Sequence, residues 1–161
     1  ELIEEVGVDV TRYFFLMRGM NSHLNFDMDL AKDESDENPV FYLQYAYARI
    51  CNIIKRGKDF SSEFDGEFDP ILLSHPDEMK LLKHMVSFPE LMGLAYENLE
   101  PQNIANYLQE LASRFHKFYS QCRVITENPE VSKARMALVF SVKIVLQNGL
   151  NILGISAPER M

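Results

Sequence analysis

The dipeptide Asn38-Pro39 constrains this chain more than any other feature. Proline cannot sit in a helix interior but suits the first helical position, and the asparagine before it is a good N-cap. A helix is therefore expected over residues 38–56. At about 100° per residue, Leu43, Ala46, Tyr47, Ile50 and Ile54 share one side, which should pack inward. Asn38, Tyr42, Tyr45, Arg49, Asn52 and Arg56 fall within an arc of roughly 80° on another side. Rings give unstacked bases a platform, guanidinium groups meet phosphates, and amides can read base edges. An ordinary amphipathic helix with tyrosines at the rim of a core explains the same stretch more simply, and on these residues alone both readings stay open.

The cap-and-proline device recurs. Asn128-Pro129 opens a last helix running through Asn148 or beyond, with Gly149 kinking or stopping it and Gly154 ending whatever continues. Residues 136–146 are apolar on nearly all sides, which places that helix in the middle of a bundle. Pro101 starts another helix, whose Ile104, Leu108, Leu111, Phe115, Phe118, Cys122 and Ile125 recur at alternating three- and four-residue steps. His116, Tyr119 and Arg123 lie together on a face flanking that stripe, a second aromatic-basic patch.

Shorter elements fill the rest. Residues 77–86 read as a helix with Met79, Leu82, Met85 and Val86 inward, and 90–99 as its hairpin partner after Ser87-Phe88-Pro89. Residues 1–6 form a short helix ended by Gly7, and Asp9 caps a second one over 10–18. Residues 25–38 read as an acidic, solvated linker and 59–76 as a surface loop. No segment alternates with a strand period and no repeat is present. The expected fold is all-α, a bundle of antiparallel helices.

Charge narrows the function. The chain of 161 residues carries a formal net charge of −8, which argues against a nucleic-acid partner until its distribution is considered. Residues 1–38 hold three Lys/Arg against ten Asp/Glu, and 61–100 hold two against nine. Residues 39–60 hold four against one, and 101–161 hold seven against four. If the two basic segments pack together, a positive face survives the acidic total. No run of 18 apolar residues suggests a membrane span. The start is acidic, unlike a secretory signal, and lacks an initiator Met, as a piece of a longer chain would. Cys51 and Cys122 lie on apolar stripes and read as reduced thiols of a cytosolic protein, with one disulfide still open.

Catalytic and metal patterns are missing. There is no Gly-rich phosphate loop, G-x-S-x-G or C-x-x-C, no Glu-x-x-His pair, and no ligand spacing among His23, His75, His84 and His116. Asp27-x-Asp29 resembles the start of a calcium loop but lacks the Gly at the sixth position and the Glu at the twelfth. A protein-interaction bundle using its acidic surface and methionines is the alternative to RNA binding.

Several motifs run the length of the chain: Gly7-x-Asp9-x-x-Arg12-Tyr13-Phe14, Ser22-His23-x-x-Phe26-Asp27, Glu37-Asn38-Pro39-x-x-Tyr42-x-x-Tyr45-Ala46-x-Ala48-Arg49, Phe118-Tyr119, and Gly149-Leu150 with Leu153-Gly154-Ile155-x-Ala157-Pro158-Glu159-Arg160-Met161. In these the chain resembles the C-terminal part of arginyl-tRNA synthetases. The resemblance implies that 38–161 is the helical anticodon-binding domain named for an Asp-Ala-Leu-Arg signature. Here that signature reads Asp9-Val10-Thr11-Arg12, matching at its ends only. Residues 1–37 would be the tail of the class I catalytic region with an acidic linker.

It further implies that the anticodon loop of the arginine tRNA docks on Asn38, Tyr42, Tyr45 and Arg49. Tyr119 and Met161 would close around unstacked bases, and Arg123 joins by neighbourhood. The parent enzyme would ligate arginine to tRNA with ATP and Mg2+ in the cytoplasm. The His-x-Gly-His and Lys-Met-Ser-Lys types of signature are absent here, so this part would bind RNA, hold no cofactor and catalyse nothing. Its expected partners are the anticodon loop and the catalytic domain of the same chain, with neither DNA nor membrane.

Overall fold

Two helix starts follow the Asn-Pro caps that the sequence supplies. A computed structural model describes residues 2–19, 22–23, 25–57 and 67–161. The helices are α1 (Leu2–Val6), α2 (Val8–Leu16), α3 (Met28–Lys32), α4 (Pro39–Arg56), α5 (Pro76–Val86), α6 (Phe88–Asn98), α7 (Pro101–Gln121) and α8 (Pro129–Leu153), with a 3-10 turn at Pro70–Leu72. No strand occurs among the described residues, and the fold is all-α. Asn38 Oδ1 accepts from the Val40 and Phe41 amides, at 3.0 and 3.5 Å, and Asn128 does the same for Glu130 and Val131. Each cap satisfies amides that the first helical turn leaves without partners, worth about 1 kcal/mol.

Helices α4, α7 and α8 form the centre, with α5 against α7 and α8, and α6 against α7. Leu43 and Ile50 of α4, Leu111 and Phe115 of α7, and Val142 and Leu146 of α8 are fully buried there. Helix α8 is long and apolar enough to cross a membrane, yet half of its most apolar window is inside the bundle. Its composition is that of a core helix. Gly149 neither stops nor ends it: a Cβ there would run into the Leu108 side chain, so the glycine permits close packing of α8 on α7. The end comes at Gly154, at φ +68°, with the Ile155 amide bonded back to Leu150 O at 2.9 Å.

The N-terminal segment packs onto this centre. Tyr13 and Phe14 of α2 are buried, and α2 touches α4, α7 and α8. Gln109 Nε2 donates to the Tyr13 hydroxyl at 2.9 Å and to Pro39 O at 2.8 Å, tying α2 to the start of α4. Burial raises the Tyr13 phenol to about 12.

Several local expectations are corrected. Helix α2 begins at Val8 after Gly7 at φ +83°, and Asp9 does not cap it. Residues 25–38 contain the short helix α3, capped by Asp27, with Ala31 buried and Phe26 packed on the core. On α5, Met79 and Val86 are exposed while Leu81 and Glu78 are buried. Helix α7 stops at Gln121, and Cys122 continues the buried stripe in extended conformation. Cys122 is buried, Cys51 half-buried, and both are free thiols. The loop expected over 59–76 lies outside the described residues up to 66; its described part holds the 3-10 turn.

Candidate nucleic-acid interface

Because α4 and α7 pack side by side, the polar edges of their apolar stripes meet. Tyr42, Tyr45 and Arg49 come from α4, and His116 and Tyr119 from α7. The His116 ring lies 5.2 Å from Tyr42 and 6.1 Å from Tyr45, stacked on the latter. The Arg49 guanidinium carbon stands 5.7 Å from the Tyr45 ring centroid and 4.9 Å from that of Tyr119. Tyr119 stacks in turn on Phe115 at 6.1 Å. The result is a row of rings with one cation inserted between two of them.

The row is buried at its base and open at its top. Phe115 is fully buried, Tyr42 half-buried, and Tyr45 is 37% exposed. Burial raises the Tyr42 phenol above its ordinary value, opposed by a hydrogen bond with Ser113. Among the described residues no carboxylate lies within ion-pair distance of Arg49, and its charge rests on ring faces. Both His116 ring nitrogens are buried without a hydrogen-bond partner. Burial lowers the His116 pKa first and Arg49 lowers it further, while Asp36 opposes them. Burial and Arg49 thus favour the neutral imidazole beside the two tyrosines.

Beside Tyr119 a groove of about 310 Å³ continues the face, lined by Arg56 of α4 and by Arg123 and Val124 after α7. Its floor is Ile53 and Cys122. The basic segments thus bring Arg49, Arg56 and Arg123 to one side of an acidic chain.

One expected site residue is committed to the fold. Asn38 is 3% exposed, its Oδ1 spent on the α4 amides and its Nδ2 donated to Ala31 O and Asp33 O. It sets the start of the helix and leaves no group for a ligand. Met161 is 56% exposed at the end of a tail that passes along α4, where Glu159 and Arg160 line a groove with Cys51 and Asn52. His116 and Arg56 join the site beyond the expected set. Their signal is spacing: His116 is three residues before Tyr119, and Arg56 shares the arc of Arg49.

The DALR anticodon binding domain matches residues 43–161. The chain belongs to this family. Within it, the chain is 48% identical over 161 residues to an arginine–tRNA ligase of Salinibacter ruber, covering all of this chain and 29% of that protein. A relative from Syntrophotalea carbinolica is 49% identical over 163 residues, again at 29% of its length. The chain therefore spans less than a third of the curated relatives it matches. Among solved structures, arginyl-tRNA synthetase from Plasmodium falciparum superposes with a TM-score of 0.82 at 26% identity, covering 99% of this chain and 28% of that one. The Thermus thermophilus enzyme gives 0.80 at 28% identity, covering 98% and 27%. The DALR fold and its all-helical architecture are thus shared across these proteins.

Proposed function

We propose that this chain is the anticodon-binding part of an arginyl-tRNA synthetase and that the α4–α7 face holds the anticodon loop of the arginine tRNA. The observation carrying this reading is Arg49, held between the Tyr45 and Tyr119 rings with its donors unpaired by any described carboxylate. A base leaving its stack gains a ring face at Tyr45 or Tyr119, and its phosphate gains the guanidinium beside it. Tyr42 and His116 support the platform from below, Arg56 and Arg123 extend it, and Met161 approaches from the tail.

The division at residue 38 belongs to the same proposal, with 1–37 the tail of a catalytic region docked through α2. Ligation of arginine with ATP and Mg2+, in the cytoplasm, falls to that region. Among the described residues no cluster of three His, Cys, Asp or Glu side chains is placed to hold a metal ion, and the sequence has no Gly-rich phosphate loop.

Titration of an arginine anticodon stem-loop tests the reading. Binding should weaken with salt, and Tyr45→Ala should cost roughly 1–3 kcal/mol with the thermal midpoint unchanged, since the ring is partly exposed. Affinity indifferent to both would return the chain to the acidic interaction-module reading.

A further inference from the structure

The two ends of the signature, Asp9 and Arg12, do not face the rings. Asp9 Oδ2 accepts from the Ser156 amide at 3.2 Å, from the Ser156 hydroxyl, and from Gln44 Nε2 at 2.9 Å. Gln44 also reaches Ser156 O at 3.1 Å and Ser156 Oγ at 3.0 Å. Arg12 Nη1 donates to the Gly154 carbonyl. Gly154 needs its positive φ to end α8, and a Cβ there would stand 2.7 Å from the Arg12 guanidinium. One turn of α2 and one amide of α4 therefore grip the residues that follow α8, with Ile155 buried beside them.

Past this grip the tail has no helix hydrogen bonds, and Pro158 has no amide to offer. Its further tie is Lys143 Nζ to Glu159 at 3.6 Å, whose carboxylate is largely exposed and holds weakly. Yet the tail runs beside α4: Arg160 lines a groove of about 310 Å³ with Asn52, Lys55 and Lys143. Asn52 lies on the same arc of α4 as Tyr45 and Arg49, so the tail ends at the margin of the ring-lined face.

We propose that Asp9, Arg12 and Gln44 are positioning residues for RNA binding, which hold the C-terminal tail on α4 so that Arg160 borders the anticodon face. This rests on the RNA-binding reading above. A loose tail loses conformational freedom at every binding event, whereas a clamped one has lost it on folding. Tyr13 and Phe14 anchor α2 independently, so the clamp can be opened without unfolding the bundle.

The test compares Asp9→Ala, Asp9→Asn and a chain lacking residues 157–161, reading hydrogen exchange at the Ser156 amide and affinity for an arginine anticodon stem-loop. Asp9→Ala should expose the Ser156 amide and weaken binding on the order of tenfold, as loss of charge-assisted hydrogen bonds does. Asp9→Asn keeps an acceptor oxygen and should recover most of both. In the shortened chain Asp9→Ala should leave affinity where the deletion put it. Exposure of Ser156 with affinity unchanged would overturn the proposal, as would an equal loss with and without the tail. If the unaltered chain binds no stem-loop, the RNA reading itself falls and takes this proposal with it, while the exchange data still report the clamp.

Discussion

Two arginines show how this bundle divides structure from binding. Arg135 on α8 donates from Nε to Glu78 at 2.6 Å and from Nη1 to Arg123 O at 2.8 Å, and Glu78 is fully buried. Glu78 also accepts from the His75 amide, closing a capping box at the start of α5. Arg49 on α4 lies instead between two rings, without a described carboxylate. A guanidinium matched to a carboxylate and a carbonyl has its donors committed to the fold. One laid on ring faces keeps them in the plane of the group, available to a phosphate. The difference is between a cation that fixes α5 to α8 and a cation that rests on two rings with no described carboxylate beside it.

Removing one partner of the buried pair should break that comparison most visibly. Glu78→Ala leaves Arg135 largely buried beside an empty site, which should lower stability by about 3–5 kcal/mol in urea unfolding. Stem-loop affinity of the molecules still folded should change little, because Arg135 keeps its bond to the Arg123 carbonyl. A variant of unaltered stability would show that the pair holds nothing together. A large affinity loss without unfolding would place Arg135 in the binding face as well.

Arg49→Gln sharpens the same contrast from the other side. Stability should stay within a few tenths of a kcal/mol, since an exposed-side cation over rings contributes about 0.5–1 kcal/mol and glutamine keeps part of the contact. One phosphate contact fewer on a single-stranded loop should make the slope of log affinity against log salt shallower by about 0.7. An unaltered slope would mean that Arg49 only orders Tyr45 and Tyr119.

The sequence exposes these two regions unequally. Tyr42, Tyr45 and Arg49 are legible because helical spacing alone puts them on one arc, and Asn38-Pro39 sets the register from which the arc is counted. That His116 and Tyr119 meet them needs only that α4 and α7 pack at their stripes. Nothing local in the sequence marks Glu78 as buried, because its partner lies 57 residues away on α8. Asp9 misleads for a similar reason: locally it suits an N-cap, but Gly7 makes the turn and Asp9 bonds Ser156, 147 residues on. Met79 and Val86 read as inward from the short helix expected over 77–86, whose few turns do not let its period choose between adjacent faces. Cys122 keeps the buried stripe going past the helix end, since the loop beyond Gln121 still lies on the core. Local chemistry is readable throughout; long-range polar pairing is not.

The smallest expected effect concerns His116, which lies under the face that Arg49 completes. Its neighbours are Tyr42, Tyr45 and Arg49 from α4 and Phe115 on its own helix, with Asp36 acting from the segment before α4. Its folded pKa is lowered by burial and by Arg49, so the unfolded chain takes up the proton first as pH falls. The stability it contributes is complete above the unfolded value of 6.5 and is lost as pH drops from there through the lowered folded value. His84, also lowered by burial, acts in the same direction. His116→Phe removes one of these two groups and replaces two unpaired ring nitrogens with carbon. The variant should match or slightly exceed the parent at pH 7, by up to about 1 kcal/mol, and should lose less stability between pH 6.5 and 5. Unfolding midpoints at the two ends of that range decide it. An identical acid slope in both proteins would mean that His116 finds an acceptor in solution, and that the tyrosine platform is less closed over it than the rings describe.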